Sequence, residues 1–169
     1  MSTRSQATKP QSTPEPAVRE RIVSAARKHF LAHGFRGVTM DDLASELAMS
    51  KKTFYAHFDS KVALVEAVLQ AKLNSVESDL ERITQDSTRP FPEALQDLLS
   101  CLQWHTGEIQ PVFFRDIRRQ TPEVFAGVEK RRAAIIDNHF SKLLLAGQKA
   151  GDEVEVLPHQ PGLKPRPIQ

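Results

Sequence analysis

Residues 50–61 read "SKKTFYAHFDSK", a run crowded with hydrogen-bond donors. Lys51, Lys52 and Thr53 stand together, Tyr55 and His57 follow at two-residue steps, and Lys61 closes the run. Lysine reaches guanine O6 and N7 or a phosphate, and threonine donates to a phosphate or touches a thymine methyl. A tyrosine hydroxyl and an imidazole nitrogen both suit a phosphate oxygen. A buried helix has no use for so many polar heads, and a solvated one has none for Phe54 and Phe58. Four residues apart, those two phenylalanines share one helix face and leave Lys51, Lys52, Thr53 and Tyr55 largely on the other. The chemistry this arrangement suits is recognition of duplex DNA by a short helix in the major groove, which is about 12 Å wide. Lys61 falls in the first turn of a following helix, where backbone amides and the positive dipole end add to its attraction for an anion. Thr39 and Ser50 are first of all helix caps, each worth about 1 kcal/mol, with any phosphate contact a second use of the hydroxyl. For Tyr55 a half-buried core position, and for His57 a capping or packing role, stand beside the phosphate reading.

Other chemistry finds little support. His29 and His33 lie one helical turn apart, but no acidic or cysteine partner stands near them in the sequence, and no metal or cofactor is expected. No nucleophile-elbow or oxyanion pattern surrounds any serine, and Cys101 lies in an apolar helical pattern. An enzyme is therefore not expected. A lone cysteine forms no internal disulfide and fits a reducing, cytoplasmic setting. No apolar run approaches the roughly 20 residues of a membrane span. The net charge of +2 is unevenly spread. Residues 1–61 hold 10 Lys and Arg against 6 Asp and Glu, whereas residues 62–169 hold 13 against 15. The basic front third favours a nucleic-acid partner there.

The elements that must position these residues are all helical. Residues 1–14 lack core-forming residues and read as a disordered arm. A first helix follows, with Pro16 in its first turn and Gly34 as its C-cap. Met40, Leu43, Ala44 and Leu47 repeat at helical spacing behind Thr39. After a three-residue turn, Ser50 caps a third helix over 51–57, and Ser60 caps a fourth from Lys61 to about Gln85. Prolines in "DSTRPFP" end it. Further helices are expected over about 92–107, 110–120 and 122–151. The last residues, "DEVEVLPHQPGLKPRPIQ", have no helical period and read as an irregular Pro-rich tail. The expected division is an arm at 1–14, a three-helix DNA-binding domain at 15–60, a helical regulatory domain at 61–151, and the tail at 152–169.

Two short helices joined by a three-residue turn form the helix-turn-helix arrangement. The stretch "GFRGVTMDDLASELAMSKKTFYAHFDSKVALVEAV" resembles the N-terminal region of the tetracycline-repressor (TetR) family. The resemblance rests on the Leu43-Ala44 and Leu47-Ala48 pairs and on Thr53-Phe54-Tyr55, His57-Phe58, Ser60-Lys61 and Leu64. It implies an all-α subunit: a three-helix, homeodomain-like head and a helical-bundle body that binds a small molecule and dimerises. Two heads would then reach successive major grooves of a palindromic operator. Carried onto this chain, it places Lys51, Lys52 and Thr53 near base edges and Tyr55, His57, Lys61 and Thr39 near phosphates.

The body's residues suit such a role without naming a ligand. Leu98, Cys101, Leu102, Trp104, His105, Phe113, Phe114 and Ile117 are candidates to line a pocket for a small hydrophobic effector; the same residues would equally serve as ordinary core. Family members usually continue with two more long helices that pair across the dimer. Here the chain turns proline-rich instead, so the bundle reads as shortened at its C-terminus. Ile135, Ile136, Phe140 and Leu143 are then the expected substitute interface. The leading expectation is a dimeric repressor released by its effector. The alternative is a DNA- or partner-binding protein with a truncated body and no effector response.

Overall fold

A computed structural model of the chain describes residues 15–86 and 88–150. The expected arm at 1–14 and tail at 152–169 lie outside the described residues. Among the described residues seven helices follow one another: α1 (Glu15–His33), α2 (Met40–Glu46), α3 (Lys51–His57), α4 (Lys61–Gln85), α5 (Phe91–Gly107), α6 (Pro111–Gln120) and α7 (Pro122–Ala150). The fold is all-α, as the periodicities predict.

The central helix is α4, which packs on α1, α5 and α7. Its apolar stripe explains why. Leu64, Val65, Val68, Leu69, Leu73, Val76 and Leu80 are all buried, so the first half serves the head and the second half serves the body. From α1, Ile22, Ala26 and Phe30 fall on one face at four-residue steps and are fully buried. Leu43 and Ala44 from α2 and Phe54 from α3 complete the head's core. The buried apolar residues form one continuous cluster through head and body.

Helix ends follow local chemistry. Gly34 takes φ 80°, ending α1 in the left-handed conformation that glycine adopts at no steric cost. A Cβ there would also lie 3.0 Å from Asp116 Oδ2. Gly147 serves a different purpose: a Cβ would lie 2.8 Å from Phe91 Cδ2, so its absence lets α7 close on α5. On the outside, Arg131 ties α7 to α4 by donating to Asn74 Oδ1 at 2.6 Å and Glu77 Oε2 at 3.0 Å.

The expected interface on α7 needs correction. Ile135 and Leu143 are buried, because α7 turns them toward α4 and α5. The exposed large apolar residues of this helix are Phe140 and Leu145.

His139 is buried on the inner face of α7, with Nδ1 3.0 Å from the Thr84 hydroxyl. Burial holds its pKa below the ordinary 6.5; Lys142 adds to this, and Glu81 and Glu77 oppose it. The unfolded chain then binds a proton that the folded chain resists. The stability this histidine contributes is present above pH 6.5 and is lost as pH falls through its lower folded value. Melting temperatures between neutral pH and about pH 5 should therefore fall less steeply in His139→Gln than in the parent.

Candidate nucleic-acid interface and ligand cavity

The head positions α3 through its own core. Phe54 is fully buried and Phe58 is 3% exposed. Lys51, Lys52, Thr53 and Tyr55 are exposed and His57 is half-buried. The two-faced helix expected from the sequence is thus the one observed. In the turn before it, Ala48 adopts φ 52°, and Met49 N–H donates to Ala44 O at 2.9 Å. This closes the end of α2 and sets the angle between the two helices.

Both caps form. Ser50 Oγ accepts from Thr53 N–H at 3.0 Å and also lies 2.8 Å from the Thr53 hydroxyl. Thr39 Oγ1 accepts from Asp42 N–H at 3.1 Å and donates to Asp42 Oδ2 at 2.6 Å. The Thr39 proton is therefore already engaged by a carboxylate. Ser60 caps α4 through Ala63 N–H at 3.1 Å.

The lysines differ in their surroundings. Lys52 has no carboxylate partner among the described residues. Lys51 Nζ reaches Asp41 Oδ2 at 2.6 Å, and this hydrogen bond raises its pKa. Lys61 folds back: its Nζ lies 4.4 Å from the centre of the Phe35 ring. Burial pulls its pKa down, opposed by Asp116. It sits where head meets body, set apart from the exposed row on α3.

Sequence reasoning missed Arg19. Its guanidinium stacks on Phe58 at 4.2 Å and approaches the His57 carbonyl at 3.4 Å, so it holds a cation beside the C-terminal end of α3. A lone arginine in an amphipathic helix gives no sign of this; only the packing of α1 against α3 brings it there.

A cavity of about 910 Å³, open to solvent on one side, lies between α4, α5, α6 and α7. Of the eight candidate lining residues, Leu102, His105 and Phe114 line it. Leu98, Phe113 and Ile117 are buried in the core. Cys101 is half-buried, and Trp104 is 60% exposed. The displacement of Trp104 follows from helix geometry. Ala94, Leu98 and His105 mark the buried face of α5, and one residue from His105 turns Trp104 about 100° away. It packs edge-on against His105, with ring centres 4.8 Å apart.

One wall of the cavity is polar and was not legible beforehand. Lys72 is 4% exposed and donates to His105 Nδ1 at 2.9 Å. It also pairs closely with Glu108, which Arg27 reaches at 2.9 Å. Since an ammonium only donates, His105 carries its proton on Nε2, which faces Asp79 Oδ2 at 2.9 Å. Burial pulls the Lys72 pKa down while the Glu108 hydrogen bond pushes it up. Lys72 stands on the α4 stripe between Leu69 and Leu73; the position was readable, but its partner lies far along the chain. Asp79, Cys101 and His105 also bring three potential metal donors within 4.8 Å of one another. The Cys101 thiol there is pushed up by burial and by Asp79.

Helix α6 joins the two regions. Gln110 N–H donates to Leu31 O at 3.1 Å, and Asp116 Oδ2 accepts from Arg36 N–H at 3.1 Å. The same helix lends Phe114 to the cavity.

Comparison with known proteins agrees with this geometry. Residues 22–68 match the model of the bacterial regulatory proteins of the tetR family. The HTH-type transcriptional activator FasR of Mycolicibacterium smegmatis is 27% identical over 130 residues, covering 75% of this chain and 59% of FasR. The HTH-type transcriptional repressor DhaR of Mycobacterium sp. is 27% identical over 85 residues, covering 50% of this chain and 43% of DhaR. The chain thus spans less than two thirds of the length of either relative. The solved structure of Salmonella enterica GusR shares the fold, with a TM-score of 0.52 at 21% identity, covering 84% of this chain and 73% of GusR. Among the described residues no helix is long and apolar enough to cross a membrane.

Proposed function

We propose that the chain, whose residues 22–68 match the model of the bacterial regulatory proteins of the tetR family, is a repressor that binds a palindromic operator as a dimer and leaves it on binding a small effector. The observation that carries the DNA reading is the exposed row Lys51, Lys52, Thr53 and Tyr55, mounted on a helix whose other side is anchored by fully buried Phe54. Lys52 and Thr53 are the base-edge candidates. Tyr55, His57 and Arg19 flank them as phosphate contacts.

Effector release has a physical route. A guest between α4 and α7 would press on Phe114, and α6 would carry the shift to Leu31 and Arg36 at the base of the head. The loop from Gly34 to Thr39 leads directly into α2, so a small displacement of α6 changes the angle at which α3 is presented. A second copy of the chain is required for two heads to span successive major grooves, one helical turn apart.

The test is fluorescence anisotropy on a selected duplex at several salt concentrations. Lys52→Ala should cost about 1–3 kcal/mol on the specific site if it reads a base. Lys51→Ala should cost less, because Asp41 already holds that ammonium. Asp41→Asn should tighten binding, since it frees Lys51 and removes a negative charge facing the phosphates. Equal affinity of all three variants and the parent would remove α3 from the interface.

A further inference from the structure

We propose that the cavity's guest is an amphipathic anion, an apolar body with a carboxylate or phosphate head; this rests on the reading of that cavity as the effector site. The distribution of charge around it carries the inference. Opposite its polar wall the lining is apolar, with Leu69, Leu73 and Val76 along α4. Four arginines also line it: Arg115, Arg118 and Arg119 from α6, and Arg132 from α7. Arg132 is already matched, donating to Glu129 at 3.0 and 2.8 Å. Lys72 is matched by Glu108. Arg115, Arg118 and Arg119 have no carboxylate partner among the described residues.

The carboxylate of α6 is turned elsewhere. Asp116 is buried against the head, where it accepts from Arg36 N–H. Asp116 is thus absent from the cavity lining, which three arginines of the same helix share. Such an edge attracts one negative group and repels a cationic one. Arg115 and Arg119 also line, with Arg36 and Asp116, a polar cleft of about 620 Å³ at the junction of head and body. A head group drawn to these arginines therefore acts on the helix that touches the head. The apolar body would lie along α4, away from the charged edge.

Four probes of one chain length separate the possibilities: dodecanoate, dodecyl phosphate, dodecanol and dodecyltrimethylammonium. Binding to the full chain is measured by calorimetry, and release of a selected duplex is followed in parallel. Charge-assisted hydrogen bonds from the arginines should make one or both anions bind about tenfold to a hundredfold more tightly than dodecanol. Carboxylate against phosphate then decides which head the edge fits. Arg118→Glu combined with Arg119→Glu should abolish that advantage, so that the anions bind no more tightly than dodecanol. Both side chains are exposed, so the double variant should fold, and its melting curve checks this. The inference is overturned if dodecanol or the cation binds as tightly as the anions, if the double variant keeps the preference, or if no probe binds. Duplex release by the neutral or cationic probe would sink the anion inference alone. Failure of the parent to bind any duplex would sink the regulator reading, whichever probe binds.

Discussion

Phe54→Ala should destabilise the protein by about 3–5 kcal/mol and abolish specific DNA binding. The stability cost is that of truncating a fully buried aromatic residue, combining lost apolar burial with the cavity left behind. Its functional cost has a separate origin. The α3 helix has seven residues and cannot persist alone; its angle to the rest of the head is held by Phe54 and Phe58. Without the larger anchor the exposed row keeps its residues but loses its common direction. Phe54→Leu provides the control, since it keeps an apolar anchor and should lose far less of both stability and affinity. Chemical denaturation gives the first quantity and anisotropy the second. An Ala variant that bound its operator normally would show that α3 is held by something other than this ring.

The second large effect concerns the body. Glu108→Ala should cost roughly 2–4 kcal/mol, because it leaves the buried Lys72 ammonium without an anion, with His105 as its hydrogen-bond partner and the Trp104 ring 5.5 Å away. The lower part of that range reflects the partial exposure of Glu108, whose side chain is 30% accessible. Lys72→Met should cost much less. Methionine fills the slot on the α4 stripe, and Glu108 keeps Arg27 at 2.9 Å. The asymmetry is the diagnostic: a buried cation without its anion is costly, whereas a half-exposed anion that retains an arginine is not. Equal losses in the two variants would mean that the network acts as packing alone. Because Lys72 and His105 line the cavity, Lys72→Met should also change the affinity for the proposed guest at little cost in stability.

Much of the head was legible because its determinants are local. Ser50 and Ser60 sit where a hydroxyl must meet the amide three residues on, and each makes that bond. The i, i+4 pair Phe54 and Phe58 announces a buried face without reference to any other helix. The body was legible as helices but less so as a site. Periodicity shows that α5 has an apolar side, but not that Trp104 lies just beyond its edge. It likewise gives no sign that Ile135 and Leu143 point to the core while Phe140 does not, since all three are apolar on one helix. Lys72 with Glu108, Arg19 with Phe58 and Asp116 with Arg36 are long-range pairings, set by how helices dock. Lys61 illustrates the same limit: its place in a first turn suggested an outward cation, and the nearby Phe35 ring drew it back.

The most direct measurement is selection of bound duplexes from a random pool, with the parent chain and with Lys52→Ala and Thr53→Ala in parallel. The outer face of α3 is predicted to recover an inverted repeat, with half-site centres one helical turn apart, and each substitution to relax the preference at its own base position. Recovery of no common sequence, or of the same sequence with undiminished preference by both variants, would contradict the account.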